Sequence, residues 1–257
     1  ASALEFPVAK ASLPVDPYWL GAWLGDGNST DVAIYKPECN MTRWLNGYAE
    51  RLGMSVKKYA YEGKCPGWAI TGDGQFENPL RKFIESKMVK GKRIPQEYMT
   101  ASLKDRLQLL AGMLDSDGSM TYSGFDWISK DEKLAEDFAF VCRSVGLAAY
   151  IQKCVKTIKS VNFSGTYWRV HVSGDCERIP CLDKAAPPRR QIKRHLVHGI
   201  TVEKLEVGDY YGFELDGDKL FLLGDFTVTH NTETTKLFAN LHYYNSEPKM
   251  LTPASTI

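Results

Sequence analysis

The chain has almost no net charge: 32 Lys and Arg stand against 31 Asp and Glu, a formal balance of +1. A molecule-wide positive field is therefore excluded, and any attraction for a polyanion must come from charge placed locally. The six cysteines, Cys39, Cys65, Cys142, Cys154, Cys176 and Cys181, form no CxxC pair. That pattern disfavours a zinc site or a disulfide framework and predicts reduced thiols in an intracellular protein, cytoplasmic or nuclear. No apolar run approaches the length that spans a bilayer, and no secretory signal opens the sequence. What is present is ordinary globular composition, 44% hydrophobic and 25% charged, over 257 residues. That length suits one large domain or two modest ones.

The near-zero balance hides a strong segregation. Residues 81–108 hold eight Lys or Arg and three acids, and residues 184–195 hold Lys184, Arg189, Arg190, Lys193 and Arg194 with no acid. Residues 201–218 reverse the sign, with six acids and one lysine. The two basic stretches are expected to face phosphates.

Two short segments are richer still: Leu20-Gly21-Ala22-Trp23-Leu24-Gly25-Asp26-Gly27 and Leu110-Ala111-Gly112-Met113-Leu114-Asp115-Ser116-Asp117-Gly118. Each is an apolar helical run with small residues, ending in Asp-Gly. Small residues on one face let a second helix approach closely. If the two runs pack together, Asp26 and Asp117 come side by side at their ends. A carboxylate pair of that kind calls for a cation, and Mg²⁺ binds through one or two carboxylates plus phosphate oxygens.

The order of elements repeats. A strand over 31–36 follows the first motif, then a helix over 38–52, strands over 54–61 and 67–71, and a helix over 76–86. The second half runs as a motif helix over 103–115, a hairpin of 120–122 and 125–129, a helix over 133–145, and strands over 148–156 and 166–172. The pattern predicts a pseudo-two-fold α+β domain with two αββαββα halves.

The paired segments resemble the motifs of the LAGLIDADG homing endonucleases, over roughly residues 16–190. The second follows the pattern nearly letter for letter, whereas Leu24 stands where the first motif's earlier aspartate belongs. The resemblance implies a monomeric, site-specific endonuclease that cuts a long, asymmetric double-stranded DNA by Mg²⁺- or Mn²⁺-dependent hydrolysis. Asp26 and Asp117 would be its catalytic and metal-holding carboxylates. It also implies two active-site lysines: Lys92, in Lys92-Arg93-Ile94-Pro95, and Lys184, in Leu182-Asp183-Lys184-Ala185, with Arg189 and Arg190 as rivals for the second place. A cation beside the scissile phosphate stabilises developing negative charge. The strands would enter the major groove. Lys36, Lys57, Lys153, Lys156, Arg169, His171, Arg189 and Arg190 are the candidate DNA contacts.

Residues 209–232 read as a hairpin turning at Asp216-Gly217 and ending in His230-Asn231-Thr232. This segment is similar to the C-terminal splicing region of inteins. The resemblance implies that Asn231 cyclises, that His230 assists, and that Thr232 is the following nucleophile. Residues 1–14 carry neither an initial Cys or Ser nor a Thr-x-x-His segment, and Gly212 stands where many inteins have aspartate. The N-terminal intein half is then expected to be a separate chain and partner, to have been deleted, or to have been lost naturally. Thr232 would open host sequence, and could be the last residue of a phosphate-binding GK[ST] loop.

The expected organisation is therefore a linker or splicing remnant over 1–15 and an endonuclease domain over 16–190. A β-rich C-terminal fragment of an intein (Hint) splicing domain follows over 191–231, and a C-extein or appended tail over 232–257. The alternative is a protein-splicing element, or a DNA-binding module whose nuclease is inactive.

Overall fold

In the computed structural model, the described residues are 2–7, 12–28, 31–60, 62–72, 74, 77–88, 91–158, 163–189, 194–197, 199, 201, 203–204, 206–209 and 213–231. The chain divides into a large unit, Ser2–Leu196, and a C-terminal unit beginning at Val197. Among the described residues no helix is long and apolar enough to cross a membrane.

The large unit mixes helices and antiparallel sheets around two central helices, α1 (Pro17–Asp26) and α5 (Leu103–Asp117). Both are set by local chemistry. Asp16 caps α1 by accepting from the amides of Tyr18 and Trp19, and Pro17 supplies a ready-made first helical φ. Ser102 caps α5 by accepting from the Asp105 amide. Both helices are buried on nearly every face along the motif, from Tyr18 to Leu24 and from Leu109 to Ser116. Helices apolar all round belong in a protein interior. Their close approach depends on glycine. A Cβ on Gly21 would lie 2.1 Å from the Leu109 carbonyl, and one on Gly112 would lie 2.1 Å from the Tyr18 carbonyl.

Each half sets a sheet beside this pair. The first has strand order β1-β3-β2, with β1 (Ile34–Tyr35), β2 (Ser55–Tyr59) and β3 (Gly67–Thr71). The second has order β4-β5-β7-β6, from β4 (Ser119–Thr121), β5 (Gly124–Ser129), β6 (Ala148–Ile158) and β7 (Phe163–Ser173). Helix α2 (Asn40–Arg51) and helix α6 (Glu132–Ser144) occupy matching places between the two strand groups of their halves. One apolar core runs from Val15 to Ala186.

The halves are less alike than the sequence suggests. Among the described residues the first motif's hairpin consists of β1 and a single bridge between Gly27 and Ile34. Helix α3 (Pro79–Lys87) ends the first half, but the second half ends on a short 3₁₀ turn, Cys176–Arg178, where a helix was expected. Pro180, Pro187 and Pro188 punctuate this stretch and disfavour a longer helix there. A short helix, α4 (Gln96–Met99), was not expected at all. The first residues also join the large unit: the Leu4 amide donates to Ser144 O, and Phe6 stacks on Phe140.

In the C-terminal unit, β8 (Leu220–Leu222) pairs antiparallel with β9 (Val228–His230). The expected turn at Asp216-Gly217 exists, with the Lys219 amide donating to Asp216 O and Gly217 at φ +66°. The strand pair itself closes further on, where the Leu223 amide meets Thr227 O and the Phe226 amide meets Leu223 O. Among the described residues the strand pair therefore turns at 223–227, beyond the predicted place, while residues 210–212 of the expected hairpin lie outside the described residues.

Candidate active site at the paired helix ends

The C-terminal turns of α1 and α5 come together, and Asp26 and Asp117 are near enough to interact electrostatically. Asp117 opens to solvent at the surface, but protein packed beneath it withdraws water. Its carboxyl is pushed above the ordinary range by that burial and then by the like charge of Asp26, against the pull of Lys92, Lys36 and Lys184.

Lys92 and Lys184 serve these helix ends in parallel fashion. The last carbonyls of a helix lack intrahelical partners and form the negative end of its dipole. The Lys92 ammonium donates to the carbonyls of Trp23, Leu24, Gly25 and Gly27 at 2.8–3.2 Å. The Lys184 ammonium donates to those of Leu114, Ser116 and Gly118 at 2.7–2.9 Å. Trp23, Gly25 and Gly27 match Leu114, Ser116 and Gly118 within the two motifs. Burial lowers the Lys92 pKa to about 8, with Asp117 and Asp26 opposing the fall. Lys184 is lowered by burial and then by the repulsion of Lys36.

The two lysine loops are clamped by buried carboxylates that sequence reasoning missed. Asp115, with no exposed surface, accepts the amides of Leu182, Asp183 and Lys184 at 2.6–3.0 Å, together with the Tyr18 hydroxyl at 2.8 Å. Asp183 then caps α2 of the other half, accepting from the Asn40 and Met41 amides. Burial alone would raise the Asp183 pKa, but those amides and Lys36 hold it below the usual carboxylate range. Asp137 on α6 takes the guanidinium of Arg93 in a two-pronged pair at 2.6 and 2.7 Å, and also accepts the Ile94 amide. Each loop thus ties its lysine to a helix of the opposite half. The signal for Asp115 was visible: the second motif retains an aspartate where the first has Leu24.

The candidate DNA contacts divide. Lys36 is not on a sheet surface; its ammonium lies 3.0 Å from Asp26 Oδ2 and 3.0 Å from Ser116 O. In antiparallel strands alternate residues face opposite sides, and paired residues share one. Arg169, His171 and Lys156 fall on the outer side of the second sheet, and Lys57 on that of the first. Asp126 joins the outer group, with His171 Nδ1 2.8 Å from Asp126 Oδ1. Lys153 pairs in register with Trp168 and so takes the opposite face, that of Val170 and Ile151. Arg189 lies close enough to Cys176 to oppose the upward push of burial on that thiol. Arg190 lies outside the described residues.

In the basic stretch 81–108, expected to face phosphates, most cations already have partners within the protein. Arg81 pairs with Asp31, Lys82 with Glu77, Lys87 with Glu97 and Arg93 with Asp137. Arg106 is fully buried and donates to the carbonyls of Ala101, Ser144 and Leu4. Arg106 is thus withdrawn into the fold, whereas the paired Arg81, Lys82, Lys87 and Arg93 remain 43–68% exposed.

In the C-terminal unit, the Asn231 amide donates to Lys219 O and its side-chain amide donates to Phe213 O. His230 stands opposite Leu220 in the strand pair, and Thr232 lies outside the described residues.

No family model matches the sequence. Over 167 residues, 65% of the chain, it is 30% identical to a replicative DNA helicase DnaB of Mycobacterium intracellulare, and it spans only 24% of that protein. Solved structures of the homing endonuclease I-DmoI resemble it loosely. Mesophilic variants match 62% of this chain and 88% of theirs at a TM-score of 0.45 and 11% identity. A complex of I-DmoI with DNA and Mn matches 62% and 89%, at 0.44 and 12%. So loose a superposition says nothing about residue roles.

Proposed function

We propose that the chain is a site-specific double-strand DNA endonuclease of the LAGLIDADG type and of intein origin, acting as a monomer. The observation that carries this reading is the meeting of Asp26 and Asp117 at two packed helix ends with an ammonium held over each end. The carboxylates suit a hard divalent ion. They repel one another, Asp117 is raised in pKa by burial and then by its neighbour's charge, and a lysine already stands in as counter-cation at Asp26. Among the described residues no cluster of three or more His, Cys, Asp or Glu could enclose an ion. The remaining oxygens would then come from phosphate and water, as Mg²⁺ sites commonly arrange. When bound through Asp26 and Asp117, Mg²⁺ or Mn²⁺ would supply charge neutralisation at the scissile phosphate. Lys92 and Lys184, fixed beside the two carboxylates, would stabilise negative charge as it develops. The outer sheet faces carrying Lys57, Lys156, Arg169 and His171 would lie against the duplex.

The helicase likeness supports a place inside a helicase-type host gene, with the C-terminal His230-Asn231-Thr232 as the splicing junction. An N-terminal intein half would be the partner for that reaction. Incubation with duplex spanning an uninterrupted helicase gene, with and without Mg²⁺, tests the nuclease. Metal-dependent cleavage at one place is expected, abolished by Asp26→Asn or Asp117→Asn while DNA binding persists. Full cleavage by either variant overturns the assignment.

A further inference from the structure

Resting on the reading of Asp26 and Asp117 as the metal-holding pair, we propose that Lys36 is a built-in cation that competes with the divalent ion for Asp26 until a DNA phosphate draws it away. Lys36 spans the seam between the two motif helices: its ammonium binds Asp26 at the end of α1 and Ser116 O at the end of α5. The pair is largely shielded, with side-chain exposures of 15% and 21%. Water therefore screens it less than a surface pair.

The arrangement is one-sided. Ile34 pairs with Trp68 in the first sheet as Trp127 pairs with Val170 in the second, so Lys36 matches Ser129. Among the described residues the Ser129 hydroxyl accepts the Asp131 amide. The second half thus has no lysine at the equivalent place, and the internal ion pair forms on Asp26.

Three ammoniums, those of Lys36, Lys92 and Lys184, act on Asp117 together. An incoming divalent cation meets their combined repulsion. Lys92 and Lys184 are each tied to three or more helix-end carbonyls, whereas Lys36 holds one carboxylate and one carbonyl. Lys36 is the ammonium that can be exchanged. A phosphate offers it a new anionic partner, frees Asp26 and adds negative charge at the centre. The ion then loads with the DNA and not ahead of it.

The test is Mn²⁺ binding to DNA-free protein, followed by electron paramagnetic resonance of the free ion. Lys36→Met should bind Mn²⁺ about tenfold more tightly than the parent, because the competing charge is gone. Lys36→Arg should stay near the parent, and the double variant Asp26→Asn/Asp117→Asn should lose the site. Structural damage would weaken binding, so the upward direction separates gating from scaffolding. If Lys36→Met does not fold, Lys36→Gln replaces it. Equal or weaker affinity in the neutral variants, with the double variant blank, overturns the role of Lys36. Undiminished binding by the double variant overturns the carboxylate pair as the metal site. Adding random-sequence duplex should raise the parent's Mn²⁺ affinity more than that of Lys36→Met; an equal rise overturns displacement by phosphate.

Discussion

Asp115 and Asp117 stand two positions apart on α5 and meet opposite surroundings. Asp117 opens to solvent beside another carboxylate, whereas Asp115 is sealed in and satisfied by four donors. Replacing Asp115 by Asn removes the charge from those hydrogen bonds and sets an amide donor among amide donors. A loss of about 3 kcal/mol of stability is expected, since a buried donor left unmatched keeps its desolvation cost. Urea unfolding measures it. Cleavage should fall as well, because the loop that delivers Lys184 is loosened. Lys92→Met should cost about 1 kcal/mol of stability, because the ammonium caps a helix end. At this scale the two Asp-Gly motif ends were legible from spacing, whereas Lys92 and Lys184 entered only through the family resemblance. Of the clamps, only Asp115 left a trace, as the extra aspartate of the second motif; what Asp115 and Asp137 hold was hidden, because both act on residues more than forty positions away.

Helices α1 and α5 behave as one element, fused through backbone contact. Gly112→Ala would drive a Cβ to 2.1 Å from the Tyr18 carbonyl and 2.7 Å from the Ala22 amide nitrogen. Neither partner is a flexible side-chain tip, so the helices must separate. A destabilisation of about 3 kcal/mol or more is expected in chemical denaturation. Gly47 on α2 gives the contrast. Nothing lies within 4 Å of a Cβ there. Gly47→Ala should raise stability by about 0.5–1 kcal/mol through helix propensity alone. The strands show where periodicity stops informing. The run over 31–36 has the residues of a longer strand, but β1 is two residues long and Lys36 turns inward to Asp26. That ion pair is a tertiary fact with no local trace.

For the molecule as a whole, charge in sequence and charge on the surface are different quantities. In the basic stretch 81–108, four cations are already ion-paired and Arg106 is buried. DNA affinity should still fall with salt, but the contributors should be the sheet faces. Neutralising Lys57 or Lys156 should reduce the log–log salt slope by about one each. Lys82→Ala, which removes a cation already paired with Glu77, should leave the slope unchanged. A slope that shifts with Lys82 and ignores Lys57 and Lys156 would place the duplex elsewhere.

The sequence by itself determined the two motif helices, their Asp-Gly ends and the α+β order of each half. Those features depend on spacing, capping and small residues, which act within a few positions along the chain. Only the tertiary structure decided which lysine pairs with a carboxylate, which cations remain for a ligand, and how each lysine loop is held by the other half. Lys36 could have projected from a strand as one more surface cation. It sits on Asp26 because close packing of two glycine-bearing helices brings Ser116 O within 3.0 Å of the same ammonium. An anion and a carbonyl from opposite helices then satisfy a charge that would otherwise be left in water.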